Sequence, residues 1–244
     1  MCTLVLLLDP AAEWPVLLAS TRDEFRSRAW QRPAEWWADR HPGLIGGRDR
    51  EAGGTWLAVN MRERRAAVVL NRIEPTVLEE SEARSRGGLP LIAAGGGADA
   101  VDAEDLRLIR PFNLVLAEPG GVLWWRYDGA VLTRRELEPG LHILTAVDLD
   151  DIGNPRQRRW LPEFAAVAPP APKPGDRAPV GWGGWPALLA DVDTPYDDPR
   201  ALNVRRGDFG TVSASLLALG REHLKYEFCP GPPDRGGWEC VVEV

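Results

Sequence analysis

The chain has 244 residues, a formal net charge of -7 and 44% apolar residues. That apolar share is enough for a sizeable core, and the acidic balance argues against a general affinity for nucleic acid or an anionic membrane surface. Only Lys173 and Lys225 among the 29 basic residues are lysine, which, with abundant Ala, Gly and Pro, reads as base composition rather than as a phosphate-binding surface. The first apolar run, 4–8, has no basic residue before it and is too short for a signal peptide or a membrane span. Cys2, Cys229 and Cys240 lack metal-ligand spacing. They point to a reducing, cytoplasmic setting with no metal and no cofactor, and to Cys229 and Cys240 as buried thiols.

Run 4–8 is uninterrupted and shorter than a helix, which predicts a strand buried on both faces. Asp9-Pro10 and Pro15 mark a turn, and 16–19 returns antiparallel. If Leu8 faces Val16, paired residue numbers sum to about 24. Cys2 then faces Arg22, with Asp23 one step away. Segment 26–41 carries Trp30, Arg32, Trp36, Trp37 and Arg40, and predicts an irregular, partly helical cover in which arginines stack on tryptophans. Glu24, Glu35 and Asp39 argue against reading it as a nucleic-acid platform.

Residues 46–49 and 53–56 predict a glycine-rich pair of turns. They match neither a P-loop nor a dinucleotide fingerprint, and their glycines would let the backbone approach a nucleophile. Stretches 55–59 and 66–70 predict a second hairpin that ends at Asn71. A helix at 89–94, a loose turn and a short helix at 103–109 read as an outer layer. Stretches 112–117, 122–127 and 131–137 read as a meander, followed by a strand at 141–146 with His142 as a structural residue. A helix at 155–164 starts at Pro155 and gathers Trp160, Leu161 and Phe164 on one face. The proline-rich loop at about 167–180 is a surface excursion. The segment beyond that loop is too short to bury its own core, so 1–244 reads as a single domain. A helix at 185–192 and strands at 209–219, 223–228 and 238–242 complete it.

A cysteine at position 2 has a specific chemistry. Removal of Met1 would leave a thiol and a free α-amine on one residue. The amine titrates near ~8 and can take the thiol proton, so nucleophile and base coincide. Asp23 would orient the ammonium form. Arg22 would favour the thiolate and draw its titration below the free value.

Met1-Cys2, the first strand, Thr21-Arg22-Asp23-Glu24-Phe25 and Arg28 resemble the NRDE family, the family of the transport and Golgi organisation protein 2. The likeness continues through Trp36, Gly46-Gly47-Arg48-Asp49, Gly53-Gly54-Thr55-Trp56-Leu57, Val59-Asn60 and the strand ending at Leu70-Asn71. Ser85-Arg86-Gly87 and Phe112-Asn113-Leu114 also fit. The match is dense over the first half and thin beyond about residue 150. The resemblance implies an α+β fold, a four-layer αββα sandwich of the N-terminal nucleophile hydrolase type. It implies Cys2, Arg22, Asp23 and Asn71 as the catalytic set, with Asn71 in the oxyanion hole, and Arg48, Trp56 and Asn113 toward the substrate.

Three departures accompany it. Thr21 stands where the family signature has Asn. Gly210-Thr211-Val212 stands where the family often has Gly-Thr-Arg, with Arg205 or Arg206 as the nearest substitutes. Leu144-Thr145-Ala146 offers no second Asn. The leading expectation is a cysteine amidohydrolase that cleaves C–N bonds of a small-molecule amide. The alternative is a non-catalytic carrier or chaperone for a hydrophobic or porphyrin (haem-like) ligand, with the Trp-rich rim as its pocket. A third is an interaction scaffold. None of these involves nucleic acid or membrane insertion, and the sequence sets no oligomeric state.

Overall fold

The structure is a computed structural model that describes residues 2–79 and 81–244, so the expectation that Met1 is removed lies outside the described residues. The chain forms two compact units, Met1–Ser27 with Pro139–Val244, and Arg28–Glu138. It opens with β1 (Thr3–Leu8) and β2 (Val16–Phe25). The second unit comprises β3 (Trp30–Ala34), β4 (Leu44–Asp49), β5 (Leu57–Asn60), β6 (Arg65–Asn71), α1 (Leu89–Asp102), β7 (Phe112–Glu118), β8 (Gly121–Tyr127) and β9 (Leu132–Glu136). The first unit resumes with β10 (Gly140–Leu144), α2 (Pro155–Ala166), α3 (Trp185–Leu189), β11 (Arg205–Arg206), β12 (Phe209–Leu219), β13 (Leu224–Cys229) and β14 (Glu239–Glu243). Each unit holds one antiparallel sheet, so the class is α+β.

In the first unit the order is β10-β1-β2-β12-β13-β14, with β11 beside β12. The β1–β2 register runs from Thr3 opposite Thr21 to Leu8 opposite Val16, the pairing expected from the turn residues. The turn is held by Asp9, whose Oδ1 accepts from Ala11 N at 3.0 Å while its own N–H donates to Pro15 O at 2.9 Å. Strand β2 continues to Phe25, well beyond the expected end, because β12 supplies it with ten pairing partners from Val16 to Phe25. Odd-numbered residues Val5, Leu17 and Ala19 pack on Trp160, Phe164, Trp185 and Leu189 of α2 and α3. Even-numbered Leu4, Leu6 and Leu18 are buried too, so both faces of this hairpin are dry.

The proline-rich excursion stays within the first unit and does not divide the chain. The Trp14 indole donates to Pro172 O at 2.7 Å. The fully buried Lys225 donates to Lys173 O at 3.1 Å and Asp176 O at 2.9 Å. Its charge is compensated by Glu227 at 3.5 Å and Glu243 at 3.4 Å, as a buried ammonium requires.

The second sheet is a meander in chain order, β3 to β9. Here three expectations change. Segment 26–41 contributes the edge strand β3 rather than helix, because Trp30 and Gln31 find pairing partners in Asp49 and Arg48. Residues 46–49 are the end of strand β4, not a turn. Glycine is required there because a Cβ on Gly46 would stand 2.5 Å from Leu57 O, and one on Gly47 2.2 Å from the Trp56 ring. The helix expected to stop at residue 94 runs on to Asp102 through a kink at Gly97, whose φ of 73° only glycine adopts readily. Asn60 Nδ2 donates to Ala94 O at 3.0 Å, beside the kink where helical bonding is broken. The expected helix 103–109 is instead a turn: Asp105 Oδ1 accepts from Arg107 N at 3.1 Å, and Ile109 bridges Arg84. Cys240 is exposed rather than buried, whereas Cys229 is buried.

Leu18→Ala should lower the unfolding free energy by about 2–5 kcal/mol, since Leu18 is fully buried. Val131→Ala, at an exposed position, should change it by less than about 0.5 kcal/mol. Urea titration of both variants checks the pair.

Candidate active site at the Cys2 strand end

The register that pairs Thr3 with Thr21 brings Cys2 level with Arg22 at the open end of the hairpin. The thiol is held by the main chain one residue further on. Asp23 N–H donates to Cys2 Sγ at 3.4 Å, and Sγ lies 3.7 Å from Asp23 O. Arg22 is buried and pairs with Glu24 at 3.6 Å. Strand alternation puts Cys2, Arg22 and Glu24 on one face and Thr3, Thr21 and Asp23 on the other.

The Asp23 carboxylate is therefore engaged on the helical face. Arg156, in the first turn of α2, donates from one terminal nitrogen to Asp23 Oδ2 at 3.3 Å and to Thr3 Oγ1 at 3.0 Å. Thr211 Oγ1 donates to Asp23 Oδ1 at 2.7 Å and accepts from Val204 N at 2.9 Å. A β-bulge makes this geometry possible. Thr211 faces Asp23 and Ser213 faces Arg22, so Val212 is an extra residue in β12. The bulge aims Thr211 at the carboxylate and sets Ser213 opposite Arg22 in the register, a use of bulges common beside sites. Ser213 Oγ is buried and has no hydrogen-bond partner among the described residues.

Sequence reasoning missed Arg156. Its contact with Asp23 spans 133 residues, and no local pattern reports such a distance. One signal was present. Asn154 caps α2 and Pro155 opens it, so Arg156 places a cation in a first turn, where the helix dipole opposes it. A residue held against that field needs a nearby anion. Arg205, expected as a substitute charge, instead pairs with Asp234 and stacks on Tyr196 at 4.1 Å. Arg206 ends β11 on the exposed surface.

The thiol titrates above its ordinary value. Burial is the largest cause and the Asp23 carboxylate adds to it; the Asp23 backbone contact and Arg22 pull the other way and lose. With Met1 in place, desolvation of the sulfur outweighs the arginine's attraction.

The remaining expected residues belong to the second unit. Asn71 ends β6 and is exposed. Arg48, at the end of β4, is half-buried, and its Nε makes no hydrogen bond among the described residues. The Trp56 ring lies against Gly47 and meets Trp30 edge-on at 5.9 Å. Asn113 is fully buried, and its Oδ1 accepts from Arg72 at 2.9 Å and from Trp124 Nε1 at 3.0 Å. Its position makes it a support for Arg72. The tryptophans mostly fill cores: Trp37 and Trp125 in the second unit, and Trp160, Trp182 and Trp185 in the first. Among the described residues no helix is long and apolar enough to cross a membrane, and no three His, Cys, Asp or Glu side chains cluster as metal ligands.

The fold and this strand end define an α+β protein with a cysteine, arginine and aspartate gathered at its second residue. The chain belongs to the Transport and Golgi organisation 2 family, whose model matches residues 1–161. That span includes Cys2, Arg22, Asp23, Asn71 and Arg156, and ends before Thr211. No curated protein matches the chain.

Arg156→Gln should cost about 3 kcal/mol or more in urea denaturation, because it strands the buried Asp23 carboxylate; Thr211→Val should cost about 1–2 kcal/mol. With Met1 in place, alkylation of Cys2 at pH 7 should be slower than that of a small free thiol. Its pH–rate midpoint should lie above the free-cysteine value of ~8.5, as peptide mapping after iodoacetamide treatment would report.

Proposed function

We propose that the chain is an N-terminal-nucleophile amidohydrolase that cleaves the C–N bond of a small-molecule amide through Cys2, with the four-layer αββα sandwich of that class. The observation that carries this reading is the Cys2 thiol held by the Asp23 backbone at 3.4 Å beside the buried Arg22. The thiol is protonated at neutral pH because burial raises its titration, so the reaction needs a base at hand. Removal of Met1 supplies one on the same residue, an α-amine titrating near ~8.

The amine takes the thiol proton as sulfur attacks the amide carbonyl. A C–S bond forms and the carbonyl oxygen becomes an oxyanion. Collapse breaks the C–N bond, and the departing nitrogen takes the proton from the α-ammonium. Water, deprotonated by the same amine, then cleaves the thioester to a free acid and regenerates the thiol. Arg22 steadies charge at the sulfur. Asp23, held by Arg156 and Thr211, positions the ammonium. Asn71 serves as an oxyanion donor, as the likeness of Leu70-Asn71 implies. The buried Ser213 hydroxyl opposite Arg22 adds polar ground for the substrate. Cys2, Cys229 and Cys240 are all free thiols, which suits a reducing, cytoplasmic setting.

Intact-mass measurement of purified Cys240→Ala protein, with and without a thiol-reactive acylating probe, tests this. The expected result is loss of Met1 and one adduct at Cys2, formed more slowly in Arg22→Ala. Retained Met1, with Cys2 no more reactive than the buried Cys229, would overturn it.

A further inference from the structure

One face of the first-unit sheet carries, near Cys2, a buried hydroxyl that no described residue satisfies. Ala214, Leu216 and Ala218 of β12 pack with the α2 and α3 side chains, so the alternate residues Ser213, Ser215 and Leu217 lie on the opposite face. Leu217 pairs with Leu18, Ser215 with Ser20 and Ser213 with Arg22. This face therefore changes from leucine to serine and arginine over the last two rungs before the Cys2 end. The Ser215 hydroxyl meets Tyr226 Oη at 3.4 Å. Ser213 is buried to the same degree, at 1% exposure, yet its hydroxyl has no hydrogen-bond partner among the described residues. A hydroxyl buried without a partner is unfavourable, and folding alone gives no reason to prefer it to alanine there. We propose that Ser213 determines the specificity of the Cys2 site, by donating to an acceptor oxygen on the acyl part of the substrate.

Such a role rests on the hydrolase reading and narrows its substrate class. Cys2 lies level with Arg22, beside the Thr3–Thr21 pair, and Ser213 faces Arg22 from the next strand. The three residues thus stand in a row across β1, β2 and β12. Neighbouring strands are ~4.8 Å apart, so the Cys2 and Ser213 positions are separated by roughly 10 Å. A hydrogen bond of ~2.8 Å and the new bond to sulfur take up about half of that. The remainder is spanned by about four bonds of a flexible chain at ~1.5 Å each, allowing for their zigzag. Once sulfur has attacked, the acyl group is the part tethered to Cys2, so its reach toward Ser213 is the one that is fixed. The neutral hydroxyl suits a neutral acceptor, and the charge of the intervening Arg22 is answered by Glu24 at 3.6 Å. The substrate class is thus an amide of a short acid that carries a keto or amide oxygen about four bonds from the scissile carbon.

The test uses the p-nitrophenyl esters of 4-oxopentanoic and 4-methylpentanoic acid. The two have nearly the same shape, and the first presents an oxygen at the required place. Sulfur takes the acyl group, the ester C–O bond breaks, p-nitrophenolate leaves and the thiol proton passes to the α-amine. Release of p-nitrophenolate by the full chain is measured, less that by Cys2→Ala, and each rate is divided by the ester's rate with free cysteine. On that scale the oxo ester should react at least about fivefold faster than its methyl counterpart. Ser213→Ala should bring the two within about twofold by slowing the oxo ester alone, and Ser213→Thr, which keeps the hydroxyl, should retain the preference. The urea midpoint of Ser213→Ala should equal or exceed the parent's, since no partner is lost; this separates a substrate contact from a structural one. A lowered midpoint, equal rates for the two esters in the parent, or a preference that survives Ser213→Ala would overturn the proposal and leave the hydrolase reading standing. Absence of Cys2-dependent release from either ester would overturn the hydrolase reading, and the role of Ser213 with it.

Discussion

The pairing of β1 with β2 is the constraint on which the first unit depends. One residue of slip would move every apolar side chain of the hairpin to the opposite face. Here both faces are buried, so a slip would not simply expose the hairpin; it would separate Val5, Leu17 and Ala19 from the α2 and α3 side chains they pack against. The register that this packing selects is the one that sets Cys2 level with Arg22. Position of the thiol is thus a by-product of core packing some distance along the strands.

Electrostatics at that strand end divides between two faces. The thiol and Arg22 share one, and the Asp23 carboxylate is held on the other by Arg156 and Thr211. A buried carboxylate needs a compensating cation and donors. Arg156 provides the first by standing in a helix turn where its charge is disfavoured. The cation that answers Asp23 thus comes from α2 and not from the Gly-Thr-Val stretch of β12, which contributes a hydroxyl. This explains how the chain keeps the aspartate buried without an arginine at residue 212.

In the second unit glycine has a packing role. Gly47 makes room for the Trp56 ring, and a Cβ on Gly54 would meet the Gly87 backbone at 2.5 Å. Gly97 turns the helix, and Asn60 reaches the Ala94 carbonyl beside the break. The same unit fixes Arg72 from two sides. Crowding accounts for Gly46, Gly47 and Gly54, whereas Gly53, with a φ of 75° and open space where a Cβ would stand, serves the turn that follows β4.

By itself the sequence determined the local features: the first hairpin and its register, the hairpin that ends at Asn71, the meander, the start of α2 at Pro155, and the family through its N-terminal motifs. Each of these is written in neighbouring residues, as apolar runs, turn formers and caps. It also brought Cys2, Arg22 and Asp23 together, because two short strands joined by a tight turn leave one geometry. Only the tertiary structure decided the partner of Asp23, the bulge at Val212, the strand state of 46–49, the extension of α1 and the upward titration of the thiol. These arise from contacts that no local pattern reports: Arg156 with Asp23, Thr211 with Asp23, the Trp56 ring against Gly47, and the partial burial of Cys2. A side chain's neighbours across more than a hundred residues, and the water they exclude, leave no periodicity in the chain to be read.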